Sequence, residues 1–99
     1  MGPETKFRNL LIKEIESRFP GSIVLRNDPE NFQGVPDLTV LFPGGKWALL
    51  ECKRSSSASH RPNQDHYISL FDEMFYASFI FPENKDEVLD ELQQLIRQP

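Results

Sequence analysis

Cysteine is nearly absent from this chain. Cys52 is the single one among 99 residues, so no internal disulfide can form, which fits a reducing cytoplasmic setting. The two histidines, His60 and His66, are isolated, so no zinc-type Cys/His spacing exists. No apolar run approaches membrane-spanning length, and the N-terminus carries no long apolar stretch of the kind a secretory signal needs. Excess positive charge is also missing. The net charge of −4 argues against indiscriminate binding to nucleic acid through bulk charge. Internal repeats and domain boundaries are absent, so the chain is read as one domain over residues 1–99. What is present is 38% hydrophobic and 11% aromatic residues, enough for one compact core.

The charge is unevenly placed. Between Gly44 and Arg61 stand Lys46, Lys53, Arg54 and Arg61 against Glu51. After Pro82 stand Glu83, Asp86, Glu87, Asp90 and Glu91 against Lys85 and Arg97. The acidic end reads as solvated surface.

Residues 3–19 predict a helix. Pro3 suits a first helical position, and Phe7, Leu10, Leu11, Ile15 and Phe19 recur at helical spacing until Pro20-Gly21 stops them. A short strand follows around Ile23-Val24-Leu25, then a polar, turn-rich stretch over 28–34. Residues 37–42 predict a strand, Pro43-Gly44-Gly45 a turn, and residues 46–53 a second strand. That second strand is apolar on both faces (Trp47, Ala48, Leu49, Leu50) and belongs inside the sheet. Residues 55–59 read as a flexible polar link. Pro62 opens a helix to about Phe75, a fourth strand covers 77–81, and Asn84 with Glu87 makes a capping box for a last helix whose stripe is Val88, Leu89, Leu92, Leu95 and Ile96. The expected class is α/β, an α-β-β-β-α-β-α sandwich with a mixed central sheet.

The chemistry concentrates at the two ends of the central hairpin. Pro36-Asp37 is followed by a strand, a tight turn and a strand, and then by Glu51-Cys52-Lys53. A hairpin of that length brings Asp37 back beside Glu51. Side chains alternate along a strand, so Glu51 and Lys53 share a face. Two carboxylates and an ammonium together suit a hard cation and a phosphate. Each residue alone has a plain reading: an aspartate at a strand start, a lysine at a strand end.

Gly34-Val35-Pro36-Asp37 followed by Glu51-Cys52-Lys53, in this order of elements, resembles the PD-(D/E)XK nuclease superfamily. Within it the chain is most similar to the small VRR-NUC-type and Holliday-junction-resolvase-like nucleases, often found in phages. The likeness extends from Glu4 to about Phe81. It implies a restriction-endonuclease-like sandwich and a metal-dependent DNA endonuclease. It also implies Mg2+ or Mn2+ held by Asp37, Glu51 and the backbone carbonyl of Cys52, with Lys53 orienting the attacking water or offsetting charge on the phosphate. Many resolvase-like members carry a glutamate on the first helix that faces the metal. Glu4 is the candidate here, acting through water, and Glu14 is its competitor. Helix-dipole stabilisation is the plain alternative for Glu4. A glutamine on the helix after Glu-X-Lys is matched by Gln64. The wider Gln-X-X-X-Tyr pattern is not, since Tyr67 follows Gln64 by three positions, which favours core packing for Tyr67.

Lys46, Arg54, His60 and Arg61 are the candidate DNA contacts. His66 reads as a surface or packing histidine. The resemblance further implies a homodimer acting on branched or duplex DNA, in the cytoplasm of a host cell if the chain is phage-encoded. The apolar residues Leu70, Phe71, Met74, Phe75, Tyr76 and Phe79 fit either an interface or a small core. Competing readings are a non-catalytic DNA-binding module, a nicking or homing-type endonuclease on the same fold, and a structural subunit that assembles through its last helix.

Overall fold

The computed structural model describes residues 1–28, 30 and 33–98. Its elements are α1 (Pro3–Arg18), β1 (Ile23–Arg26), β2 (Leu38–Phe42), β3 (Lys46–Cys52), α2 (Gln64–Met74), β4 (Ala77–Ile80) and α3 (Lys85–Arg97). The turn-rich stretch expected over 28–34 includes Pro29, Asn31 and Phe32, which lie outside the described residues. Among the described residues no helix is long and apolar enough to cross a membrane.

The four strands lie in chain order, β1-β2-β3-β4. The first two pairings are antiparallel and the β3–β4 pairing is parallel, so the sheet is mixed and β3 is interior as its apolar composition predicts. Gly44 and Gly45, both at positive φ, close the β2–β3 turn, where only glycine adopts two such residues without strain. One sheet face presents Leu38, Val40, Phe42, Ala48, Leu50, Cys52 and Ile80. It packs on Leu11, Ile15 and Phe19 from the first helical segment and on Val88, Leu89 and Leu92 from α3, forming the core. On the other face α2 covers β3 and β4, with Phe75 set 6.1 Å from Trp47 between ring centroids.

Several local expectations change. Leu10 belongs to the predicted apolar stripe of α1, yet it is 67% exposed. The buried stripe runs through Leu11 and Ile15 instead. Pro62 does not open α2. The helix starts at Gln64, after Asn63 takes a left-handed φ of 72°. Asn84 precedes α3 without capping it through its side chain. Its Oδ1 accepts the Phe81 N–H at 2.8 Å and its Nδ2 donates to the Phe79 carbonyl at 3.1 Å, so it fastens the exit of β4 and no capping box forms. The serine-rich link is tied down as well: the Ser56 N–H and hydroxyl both donate to the Glu83 carboxylate.

Candidate active site

The register of the central hairpin explains the site. Leu38 pairs with Leu50 across β2 and β3, so the next position outward places Asp37 against Glu51. The Asp37 N–H donates to Glu51 Oε1 at 3.2 Å, and the Cys52 N–H returns to Asp37 Oδ2 at 3.0 Å. Each carboxylate is thereby anchored by a backbone N–H of the neighbouring segment, which holds the two side by side at the end of the hairpin. Alternation along β3 puts Lys53 on the Glu51 side, with Nζ 4.0 Å from Glu51 Oε2.

Gln64 completes the group. It is the first residue of α2 and is buried. Its Nε2 donates to Glu51 Oε2 at 3.0 Å, while its Oε1 accepts from Lys53 Nζ at 2.8 Å and from the Arg61 N–H at 2.8 Å. One amide thus joins the carboxylate, the ammonium and the start of α2. Lys53 Nζ also donates to the Ser59 carbonyl at 3.2 Å. Glu51, Lys53 and Gln64 are only 4%, 4% and 6% exposed, an unusual degree of burial for two charged groups and an amide outside an apolar core.

Gly34 accounts for its own place in the Gly-X-Pro-Asp run. It has φ 92°, and a Cβ there would lie 2.9 Å from the Tyr67 ring and 3.0 Å from Asn63 Cβ. The segment leading to Asp37 therefore sits directly on the start of α2, and Tyr67 is the packing surface beneath it.

These groups open into a cleft of about 1090 Å³, whose lining includes Glu4, Asp37, Glu51, Lys53 and Gln64. Arg8, Arg26, Arg54 and Arg61 line it too, so five of the chain's eleven basic residues gather at one opening of a chain whose net charge is −4.

No family model matches this chain, and no curated protein matches it. Its backbone does have a counterpart among solved structures, a chain described as "VRR_NUC domain". The two align with a TM-score of 0.75 at 21% identity, over 91% of this chain and 97% of that one. The fold is that of a VRR_NUC domain. On this VRR_NUC fold the hairpin ends and the N-terminus of α2 converge, so the candidate residues meet through backbone topology.

Electrostatics single out Glu51. Burial, and then the neighbouring Asp37 charge, push its pKa up from 4.5 to about 7, against the opposing pull of Lys53. Glu4 adds a smaller push in the same direction and lines the cleft from α1. The alternative, Glu14, is instead paired with Lys85 at 2.8 Å and is absent from the cleft. Among the described residues no three His, Cys, Asp or Glu side chains group closely enough to hold a metal ion by themselves. Glu4 is therefore near the pair without joining it. Cys52 is fully buried and is not among the cleft-lining residues.

The candidate DNA contacts divide. Arg54 and Arg61 line the cleft. Lys46 does not: it lies at the opposite end of β3 from Lys53, and its ammonium donates to the Leu95 carbonyl at 2.7 Å and to the Gln98 carbonyl, closing the C-terminus of α3. His60 also lies off the cleft lining, stacked on Phe79 at 4.1 Å and bonded to Asp65 at 2.8 Å. Arg8 and Arg26 were missed by the sequence reading. Arg8 could have been found from its place one helical turn after Glu4, which puts both on one side of α1. Arg26 carried no such signal.

Proposed function

We propose that this chain is a metal-dependent DNA endonuclease that hydrolyses phosphodiester bonds. The observation that carries the reading is the apposition of Asp37 and Glu51 beside Lys53 in an arginine-lined cleft. The donor set fits a hard divalent cation, Mg2+ or Mn2+. It consists of oxygens, and one carboxylate is held against another at a cost that a cation relieves. Asp37 and Glu51 would hold the ion, with the Cys52 carbonyl as the resemblance implies and Glu4 acting through water. When bound, the ion supplies an activated water and offsets phosphate charge.

The chain's own residues do the rest. Lys53 has three N–H donors, two of them held by Gln64 and the Ser59 carbonyl. Nζ otherwise meets Glu51 Oε2 at 4.0 Å, too long for a hydrogen bond, which leaves one N–H for a phosphate oxygen or the attacking water, where charge develops. Gln64, buried and bonded on both sides at the cleft wall, positions Lys53 and Glu51. Arg54 and Arg61 supply charge to the backbone of the bound strand, which orients it without reading sequence. Cleavage of labelled DNA by wild type and Asp37→Asn tests this reading.

The finer proposal is a homodimer that makes paired cuts and prefers branched or distorted DNA, working in the cytoplasm. Two sites related by a two-fold axis match the symmetry of antiparallel strands. Of the six apolar residues singled out, Tyr76 is buried and Phe71, Phe75 and Phe79 are half-buried, while Leu70 and Met74 are exposed and available to a partner. Light scattering at micromolar concentration distinguishes dimer from monomer. A monomer that only nicks would remove the pairing from the proposal.

A further inference from the structure

Arg8 lies on α1, one turn beyond Glu4, and lines the cleft. Its Nη1 is 3.8 Å from Asp37 Oδ2, the same oxygen that accepts the Cys52 N–H. At that separation the contact is a charge pairing, not a geometrically locked hydrogen bond. The two side chains are 21% and 27% exposed, so neither is sealed in place. Among the cleft arginines, Arg26 donates to Asn9 at 2.9 Å, whereas Arg8 is aimed at a carboxylate of the site itself. A guanidinium and a divalent cation placed against one carboxylate repel each other. A guanidinium also presents a planar fork that matches phosphate oxygens.

We propose that Arg8 is a displaceable counter-ion of Asp37: it competes with the divalent cation for that carboxylate and, once displaced, binds a phosphate of the DNA in the cleft. The proposal rests on the nuclease reading above. It couples the two ligands. Cation binding frees a phosphate ligand, and DNA that engages Arg8 frees Asp37 for the cation, so each strengthens the other by the same factor. Arg8 is accordingly a positioning and substrate-binding residue that contributes no ligand to the ion.

The test is calorimetric titration of Mn2+ into DNA-free wild type, Arg8→Ala and Arg8→Lys, together with fluorescence anisotropy of DNA binding in Ca2+ and in EDTA. The expected result is Mn2+ binding tightened by up to about fivefold in Arg8→Ala, the scale of a partly exposed ion pair. DNA binding in Ca2+ weakens by a similar factor, and the gain in DNA affinity that Ca2+ gives wild type shrinks. Arg8→Lys keeps the charge and stays near wild type in Mn2+ affinity. If Arg8→Ala melts lower than wild type, Arg8→Gln, which keeps length and polarity, replaces it in the comparison. Mn2+ affinity unchanged or weakened in the neutral variants, with wild type binding Mn2+ normally, overturns the role of Arg8 alone. Failure of wild type itself to bind Mn2+ overturns the nuclease reading and this inference with it.

Discussion

Replacing Glu51 with glutamine removes the one carboxylate whose ionisation the fold opposes most clearly. Its pKa rises from 4.5 to about 7 through burial and the Asp37 charge. At about 1.4 kcal/mol per pKa unit, holding Glu51 ionised costs the folded state about 3 kcal/mol. Because the folded pKa lies above the unfolded one, unfolding between these values releases a proton. The contribution is therefore favourable below 4.5 and is lost as pH rises through 4.5 to about 7. Glutamine has the same shape and no charge. It still accepts the Asp37 N–H, but its amide group meets the Gln64 Nε2 donor and the hydrogen bonds there are lost. These losses cost about 1–2 kcal/mol. The variant is therefore expected to be less stable than wild type by about 1–2 kcal/mol at about pH 4 and more stable by about 1–2 kcal/mol at about pH 8, while losing cleavage entirely. The assay is urea unfolding of both proteins across this pH range in EDTA, with the difference in unfolding free energy plotted against pH. A difference that stays flat from acid to neutral pH refutes the claim that the fold holds Glu51 against its own ionisation.

Lys53→Ala is expected to lower turnover in Mg2+ by about 100-fold or more, with a smaller loss of DNA binding measured in Ca2+, because its charge acts where charge develops; equal losses would make it a phosphate anchor only. Gly34→Ala forces a positive φ on alanine and a Cβ against Tyr67, and should cost about 1–3 kcal/mol in thermal unfolding while shifting Asp37 relative to Glu51; wild-type stability contradicts the close approach. Glu4→Gln should reduce cleavage with no drop in melting temperature, whereas a loss of about 0.3–1 kcal/mol with activity intact would assign Glu4 to the helix dipole.

The element order was legible because the apolar periods of α1, the hairpin and α3 are set by the core they must bury. The pairing of Asp37 with Glu51 was legible for a related reason: a short hairpin has one register, and its ends must meet. What escaped were choices among long-range partners. Leu10 fits the helical period yet faces outward, because the stripe centred on Leu11 and Ile15 already fills the contact with the sheet. Asn84 had a capping-box partner in sequence but found the Phe79 and Phe81 backbone nearer. Lys46 looked like part of a basic patch around Glu51. Strand β3 carries it to the far end of the sheet, where the C-terminal carbonyls of α3 take it. Gln64 could be matched to the helix after Glu-X-Lys, but its burial between Glu51 and Lys53 depends on Asn63 turning left-handed, which delays α2 past Pro62.

The most direct test of the central claim is cleavage of a labelled panel of single-stranded, duplex, flap and four-way-junction DNA by wild type and Asp37→Asn, in Mg2+ or Mn2+ and in excess EDTA. The account predicts cutting by wild type with the metal, greatest on branched DNA, and none with EDTA or with Asp37→Asn at unchanged far-UV circular dichroism. Full activity in EDTA or in the Asp37→Asn protein would contradict it.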